Sequence, residues 1–149
     1  SAMKPVNRMK LQFEGRSVNE GFSRTAVAAF LAQLDPTVEE VSDVKTAVSE
    51  AVTNCIVHAY RDTLGTVYIT AGILPDNRVV IQIRDRGCGI PDVKQAMEPL
   101  FTTAPEEERA GLGFAVMESL MDRVRVTSHP GKGTCVTLTK RIRGKEAGA

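Results

Sequence analysis

The amino-acid sequence predicts an α+β two-layer sandwich, a mixed but mostly antiparallel sheet with helices packed on one face. Three observations carry this expectation. Apolar residues change period along the chain in the order strand, helix, helix, two strands, helix, two strands, which a sheet covered on one side by helices accommodates. Two pairs of strand-like runs are joined by turn-forming segments, Pro75-Asp76-Asn77 and His129-Pro130-Gly131-Lys132-Gly133, so each pair reads as an antiparallel hairpin. At 149 residues, 42% of them apolar, the chain can bury one core without staples and shows neither a repeat nor a linker. A single domain is expected over residues 3–141. Ser1-Ala2 before Met3 reads as a cloning scar, and 142–149 as a frayed, flexible tail.

The elements follow in order. Met9, Leu11 and Phe13 alternate with Lys10, Gln12 and Glu14, a short half-buried strand. Ser17 with Glu20 three residues on predicts a capping box opening a helix to about Gln33, with Phe22, Ala26, Val27, Phe30 and Leu31 on one side. Asp35-Pro36-Thr37 stops it and starts a second helix. There Val41, Val44, Val48, Ala51, Val52, Cys55 and Ile56 recur at helical spacing to about Tyr60. Strands are expected over Thr66–Ile73 and Arg78–Arg84, a third helix from Gly111-Leu112-Gly113 to about Met121, and a closing hairpin of Val124–Ser128 with Thr134–Lys140. The polar stretch from Ile90 to Arg109 lacks periodicity, and a loop of that length in a compact domain reads as a functional lid.

Bulk properties exclude several classes. The net charge of +1 and the absence of a dense basic stripe give no case for nucleic acid. No apolar run approaches the roughly 20 residues of a membrane span. Cys55, Cys88 and Cys135 are odd in number and widely spaced, so neither a disulfide framework nor a zinc site is expected, and a reducing cytoplasm fits.

Four short patterns carry chemistry. Glu50 and Asn54 lie four apart and share a helix face; the amide oxygen is a hard ligand suited to Mg²⁺, and a carboxylate one turn away can deprotonate an attacking hydroxyl. Taken alone, the pair more often describes a solvated helix face, since acid and amide pairs at this spacing are common. Asp85-x-Gly87-x-Gly89 follows a strand directly. Its glycines let backbone approach a flat ligand, and its carboxylate can accept from an exocyclic amine such as that of adenine, although D-x-G is also common in turns. Arg109-x-Gly111-x-Gly113 precedes a helix, where glycine-rich backbone and a guanidinium suit phosphate. Gly131-x-Gly133-Thr134, in isolation, is a tight turn.

In this order and on these elements, the set resembles the GHKL ATPases, which include gyrase, the Hsp90 chaperones, MutL and histidine kinases. Three stretches sharpen the likeness: Glu50-Ala51-Val52-Thr53-Asn54 through His58-Ala59-Tyr60, Pro99-Leu100-Phe101-Thr102-Thr103 with Glu108 to Phe114, and Asn19-Glu20-x-Phe22-x-Arg24 through Thr37. These look like the sporulation anti-sigma-F serine kinases of that superfamily, over Met9 to Lys140. The resemblance implies ATP and Mg²⁺ as cofactors, with Asn54 on the metal and Glu50 as general base toward a substrate serine. It implies Asp85 on the adenine amine with Gly87 and Gly89 shaping the pocket, and Thr134 closing its far side. Arg109 would reach the terminal phosphate, with Thr103 nearby in the lid and Gly111, Leu112 and Gly113 supplying N–H groups. Glu20 and Arg24 match the family's partner-contacting surface. The implied partners are a sigma-F-type sigma factor and its anti-anti-sigma antagonist. Two departures stand out: the family often has glycine where Ala59 stands, and a small or acidic residue where Arg86 stands.

Rival readings share part of this chemistry. A general-stress anti-sigma switch kinase differs only in partner. The catalytic half of a sensor histidine kinase is disfavoured because no helix carries a phosphoacceptor histidine. A module that binds ATP without transferring phosphate is opposed by Glu50. His58 and His129 have no metal partner at useful spacing, and His58 reads as structural. The resembled family is dimeric, and the first strand, with no hairpin mate of its own, predicts an edge that a homodimer would cover.

Overall fold

The computed structural model describes residues 3–98 and 111–147. Strand β1 (Asn7–Glu14) leads into α1 (Val18–Leu31) and α2 (Val38–Thr53); β2 (Thr66–Ile73) and β3 (Arg78–Arg84) follow. A short α3 (Val93–Ala96), α4 (Phe114–Leu120), the hairpin β4 (Arg123–His129) and β5 (Gly133–Arg141), and α5 (Gly144–Ala147) complete it. The sheet order is β1-β2-β3-β5-β4. All four pairings are antiparallel, so the sheet is not mixed among the described residues. β1 does have a mate: it pairs with β2 along its whole length, Asn7 opposite Ile73 and Glu14 opposite Thr66. The outer side of β1 is one of the sheet's two edges, the other being that of β4.

One sheet face is covered. Val67, Ile69, Ala71 and Ile73 of β2 alternate with half-exposed residues, and with Val79, Ile81, Ile83, Val136 and Leu138 they meet Val27, Leu31, Val44, Val48, Val52, Phe114 and Met117 from the helices. Burying each such side chain contributes about 1.5–3 kcal/mol, which is why period-2 strands and period-3.6 helices select this one layering. No helix among the described residues is long and apolar enough to cross a membrane.

The first helix start departs from expectation. Ser17 is already helical (φ −53°, ψ −35°) and its side chain caps nothing, because a turn from Asn19 N–H to the Arg16 carbonyl winds the chain one residue earlier. An N-cap needs extended backbone. Thr37 has it (φ −71°, ψ 162°), and the capping box forms there with Glu40.

Glu40 also ties down the chain end. Its carboxylate accepts from the Thr37 N–H (3.0 Å), the Arg143 N–H (2.7 Å) and the Gly144 N–H (3.1 Å). Ile142 is 2% exposed and its N–H donates to the Asn77 carbonyl. The segment after residue 141 is docked at its start, where the sequence reading has a frayed tail. Burial alone would raise the Glu40 pKa; the backbone donors outweigh it and hold the group below its usual value. Glu40→Ala is expected to cost about 1–2 kcal/mol, read as a lowered Tm. Because the folded pKa is depressed, Glu40's contribution is present above the unfolded pKa and is lost as pH falls through the folded one. An unchanged Tm would remove Glu40 from this role.

Candidate functional site

A cavity of about 210 Å³ opens between the end of α2, the loop after β3 and the start of β5. Apolar Ala51, Ile83, Ile90, Phe114 and Val136 line it beside polar Asn54, His58, Arg61 and Thr134, with one carboxylate, Asp85, 5% exposed. Asp85 Oδ1 accepts from the Gly87 N–H (2.9 Å) and the Thr134 N–H (3.2 Å), and its own N–H donates to the Thr134 carbonyl (3.0 Å). Both of those N–H donors go to Oδ1, leaving Oδ2 without a backbone donor. Burial pushes the Asp85 carboxyl above the usual carboxylate range; the Gly87 N–H, the Cys55 thiol and the Thr134 N–H pull part of the way back. Burial, and then the Asp85 charge, push the Cys55 thiol well up, so it stays protonated; its Sγ donates to the Ala51 carbonyl at 3.4 Å.

Thr134 reaches the cavity through a small hydroxyl network. Ser128 Oγ accepts from the Ile90 N–H (2.7 Å), lies 3.1 Å from the Gly133 carbonyl and 2.8 Å from Thr134 Oγ1. If Ser128 gives its one proton to Gly133, Thr134 must donate to Ser128, which leaves Thr134 Oγ1 with acceptor capacity toward the cavity.

The glycines of two motifs make this closeness possible. A Cβ on Gly87 would overlap the Ala59 carbonyl, and one on Gly133, at φ +123°, would overlap the Asp85 carbonyl. The G-x-G-T turn, a bare hairpin turn when read alone, thus packs directly on the D-x-G-x-G loop; Gly131 N–H also donates to the Cys88 carbonyl (2.7 Å). Gly89, at φ +79°, sits against the His129 carbonyl.

Asn54 lines the cavity, and Glu50, one helical turn before it, lies outside the lining. α2 stops at Thr53 and the chain continues as a π-helix over Asn54–Ala59, closed by Tyr60 N–H on the Cys55 carbonyl (3.0 Å). The wider turn brings Asn54, Cys55, His58 and Ala59 together onto the cavity wall, a use to which such segments are often put. Helical periodicity through Ile56 does not reveal that widening. His58 and Cys55 are cavity residues that the sequence reading leaves aside. Ala59, one of the two departures, also touches the site: its carbonyl accepts the Cys88 N–H (3.2 Å). The other departure, Arg86, is stacked on the Tyr68 ring at 4.9 Å, and its N–H donates to Tyr60 Oη.

Asn54 Nδ2 donates to the Leu112 carbonyl (2.5 Å), leaving its oxygen as a hard donor. Glu50 abuts Gly113, where any Cβ would overlap its Oε2. Gly111 is exposed beside them. Thr103 and Arg109 lie outside the described residues. Glu20 and Arg24 pair with each other at 3.4 Å on α1, apart from the cavity.

The donor set suits a nucleotide. An apolar slot with a single buried acceptor and a hydroxyl fits a flat base bearing an amine, and the cavity holds the base end only, since whole-ligand pockets run to about 300 Å³ or more. Among the described residues no cluster of three or more His, Cys, Asp or Glu could hold a metal. A magnesium ion at Asn54 would therefore rest on one amide oxygen together with water and phosphate oxygens, the coordination that Mg²⁺ favours.

Residues 16–140 match the histidine kinase-like ATPase domain family. The chain is 60% identical over 136 residues to the anti-sigma F factor of Caldanaerobacter subterraneus subsp. tengcongensis, covering 91% of this chain and 94% of that one. It is 51% identical to the anti-sigma F factor of Geobacillus kaustophilus, covering 95% and 97%. The RsbU and RsbW domains of Rv1364c from Mycobacterium tuberculosis superpose with a TM-score of 0.68 at 22% identity, over 93% of this chain and 33% of that chain. The catalytic domain of the histidine kinase ThkA gives 0.56 at 13% identity, over 90% and 96%. At such identities the structural matches speak for the fold: a five-stranded antiparallel sheet with its helices on one side. With the cavity at the end of α2 and full-length relatives above half identity, the chain belongs to the anti-sigma F factor family, within the histidine kinase-like ATPase domains.

Proposed function

We propose that this protein binds Mg-ATP in the Asp85 cavity, holds a sigma-F-type sigma factor inactive, and phosphorylates a serine of the anti-anti-sigma antagonist. The observation that carries this reading is the division of labour along α2. Asp85 and Thr134 share the cavity with Asn54, while Glu50 stands one helical turn before Asn54, outside the cavity lining. Bound Mg-ATP supplies the phosphoryl group and its charge compensation. Asp85, through Oδ2, would accept from the base amine, and Asn54, its Nδ2 fixed on the Leu112 carbonyl, would offer its oxygen to the metal. Glu50 takes the proton of the attacking serine hydroxyl as the serine O–P bond forms and the bond to ADP breaks, catalysis by positioning more than by covalent chemistry. Arg109 and Thr103 are assigned to the phosphate end, and Glu20 and Arg24 to the partner surface. Incubation with Mg-ATP and the cognate antagonist, followed by mass spectrometry, is expected to yield one phosphoserine; a stable complex with no phosphoserine would instead make the protein a binding module.

Asn54→Ala tests the metal assignment. The variant loses both the Leu112 bond and the ligand, but only the second depends on magnesium. Nucleotide affinity is expected to fall about tenfold further in Mg²⁺ than in chelator. Equal losses in the two titrations exclude Asn54 as a ligand.

The protein is further proposed to be a cytoplasmic homodimer joined at the β1 side of the sheet. The outer side of β1 and the exposed Met3 and Val6 favour such pairing, since open edges are normally covered. Light scattering is expected to give twice the chain mass at micromolar concentration; the mass of one chain would refute it.

A further inference from the structure

A second and larger concavity, about 670 Å³, runs between α1 and α2. We propose that it is the docking channel for the serine-bearing segment of the antagonist, and that Lys45 reads an acidic side chain close to that serine. This rests on the phosphotransfer reading above.

The two helices run antiparallel, so Arg24, Ala28 and Ala32, each one turn apart, form one wall, and Ser42, Lys45, Thr46 and Ser49 the other. Small side chains at Ala28, Ala32 and Ser42 leave the floor open. The groove ends on Glu50 and Arg24. Glu50 is therefore shared: it closes this groove on one side and touches Gly113 on the other, one turn from Asn54 in the nucleotide cavity. A hydroxyl brought along the groove arrives at the proposed base.

Its charge pattern marks the channel for an acidic side chain. Of the groove's cations, Arg24 is paired with Glu20 and Lys145 with Asp35, both at 3.4 Å. Among the described residues Lys45 forms no ion pair. It stands five residues before Glu50, about 7.5 Å along the helix axis. An extended segment spans that distance in about two residues, so the acidic side chain is expected about two positions from the phosphorylated serine.

The test is steady-state phosphotransfer to the cognate antagonist by Lys45→Glu and Ser42→Trp, both at solvent-accessible groove positions, with Lys45→Arg as the charge-conserving control. Binding of a fluorescent ATP analogue in the same samples checks folding. Both disruptive variants are expected to raise KM for the antagonist about tenfold or more with kcat at saturation retained, and Lys45→Arg to keep the parent KM. Parent-like KM in both disruptive variants overturns the channel. So does a loss of sigma-factor binding with KM unchanged, which would assign the groove to the sigma factor. If the parent itself yields no phosphoserine, the phosphotransfer reading fails. The channel is then tested by affinity alone: Ser42→Trp binding the antagonist as tightly as the parent overturns it.

Discussion

Glu50→Gln is expected to lower phosphotransfer by about 10²-fold or more while leaving nucleotide binding in place. The substitution keeps size and shape, so the packing against Gly113, where no Cβ can fit, survives. It removes only the ability to accept a proton. The base cavity is lined by Ala51, Asn54 and Asp85 but not by Glu50, which separates the chemical step from base recognition. A single-turnover assay with saturating Mg-ATP and antagonist reads the step directly. A parent-like rate would show that Glu50 is not the base, and an equal loss of nucleotide affinity would show that it acts through the ATP site instead.

Asp85→Asn is expected to lower ATP affinity about 10- to 100-fold, the range set by losing a hydrogen bond to a buried charged acceptor. The amide oxygen can still take the Gly87 and Thr134 N–H groups now on Oδ1. The amide nitrogen then stands where Oδ2 stood, and it faces the base amine as a second donor. Preference for ATP over GTP should fall with affinity, because the group that distinguishes an amine from a carbonyl is gone. Acidity provides an independent check. Burial raises the Asp85 pKa, and the ionised form is the acceptor, so ATP affinity of the parent should fall as pH drops through that raised value. The apo protein runs the other way: Asp85's contribution to folding is fully present below its unfolded pKa and is lost as pH rises through the folded one. In Asp85→Asn both dependences should flatten. An unchanged nucleotide preference, or a pH profile identical to the parent's, would take Asp85 out of the base pocket.

Local pattern was decisive where one element's residues set its own geometry. Strict alternation and a Pro-Asp-Asn turn place β2 and β3 at Thr66–Ile73 and Arg78–Arg84, as the sequence predicts. Helical spacing finds α1 and α2, and the order of four glycine- and carboxylate-bearing patterns names the family. Local pattern failed where competing backbone partners decide the outcome. Ser17 and Glu20 spell a capping box as well as Thr37 and Glu40 do, but the Arg16 turn had already wound the first site into helix. Nothing in Asn54–Ala59 announces a π-helix, because helical spacing through Ile56 reads the same for a wider turn.

The sequence by itself determined the layering and the strand boundaries and nominated the residues proposed to carry chemistry, since burial period and glycine placement are written residue by residue. Only the tertiary structure decided which of them meet. That the G-x-G-T turn seats on Asp85, that Glu40 grips Arg143 and Gly144 a hundred residues away, and that Glu50 faces a groove shared with Arg24 all depend on contacts between distant segments. A backbone N–H or carbonyl offers the same hydrogen bond from any residue type, so partnerships of that kind leave no trace in composition or spacing.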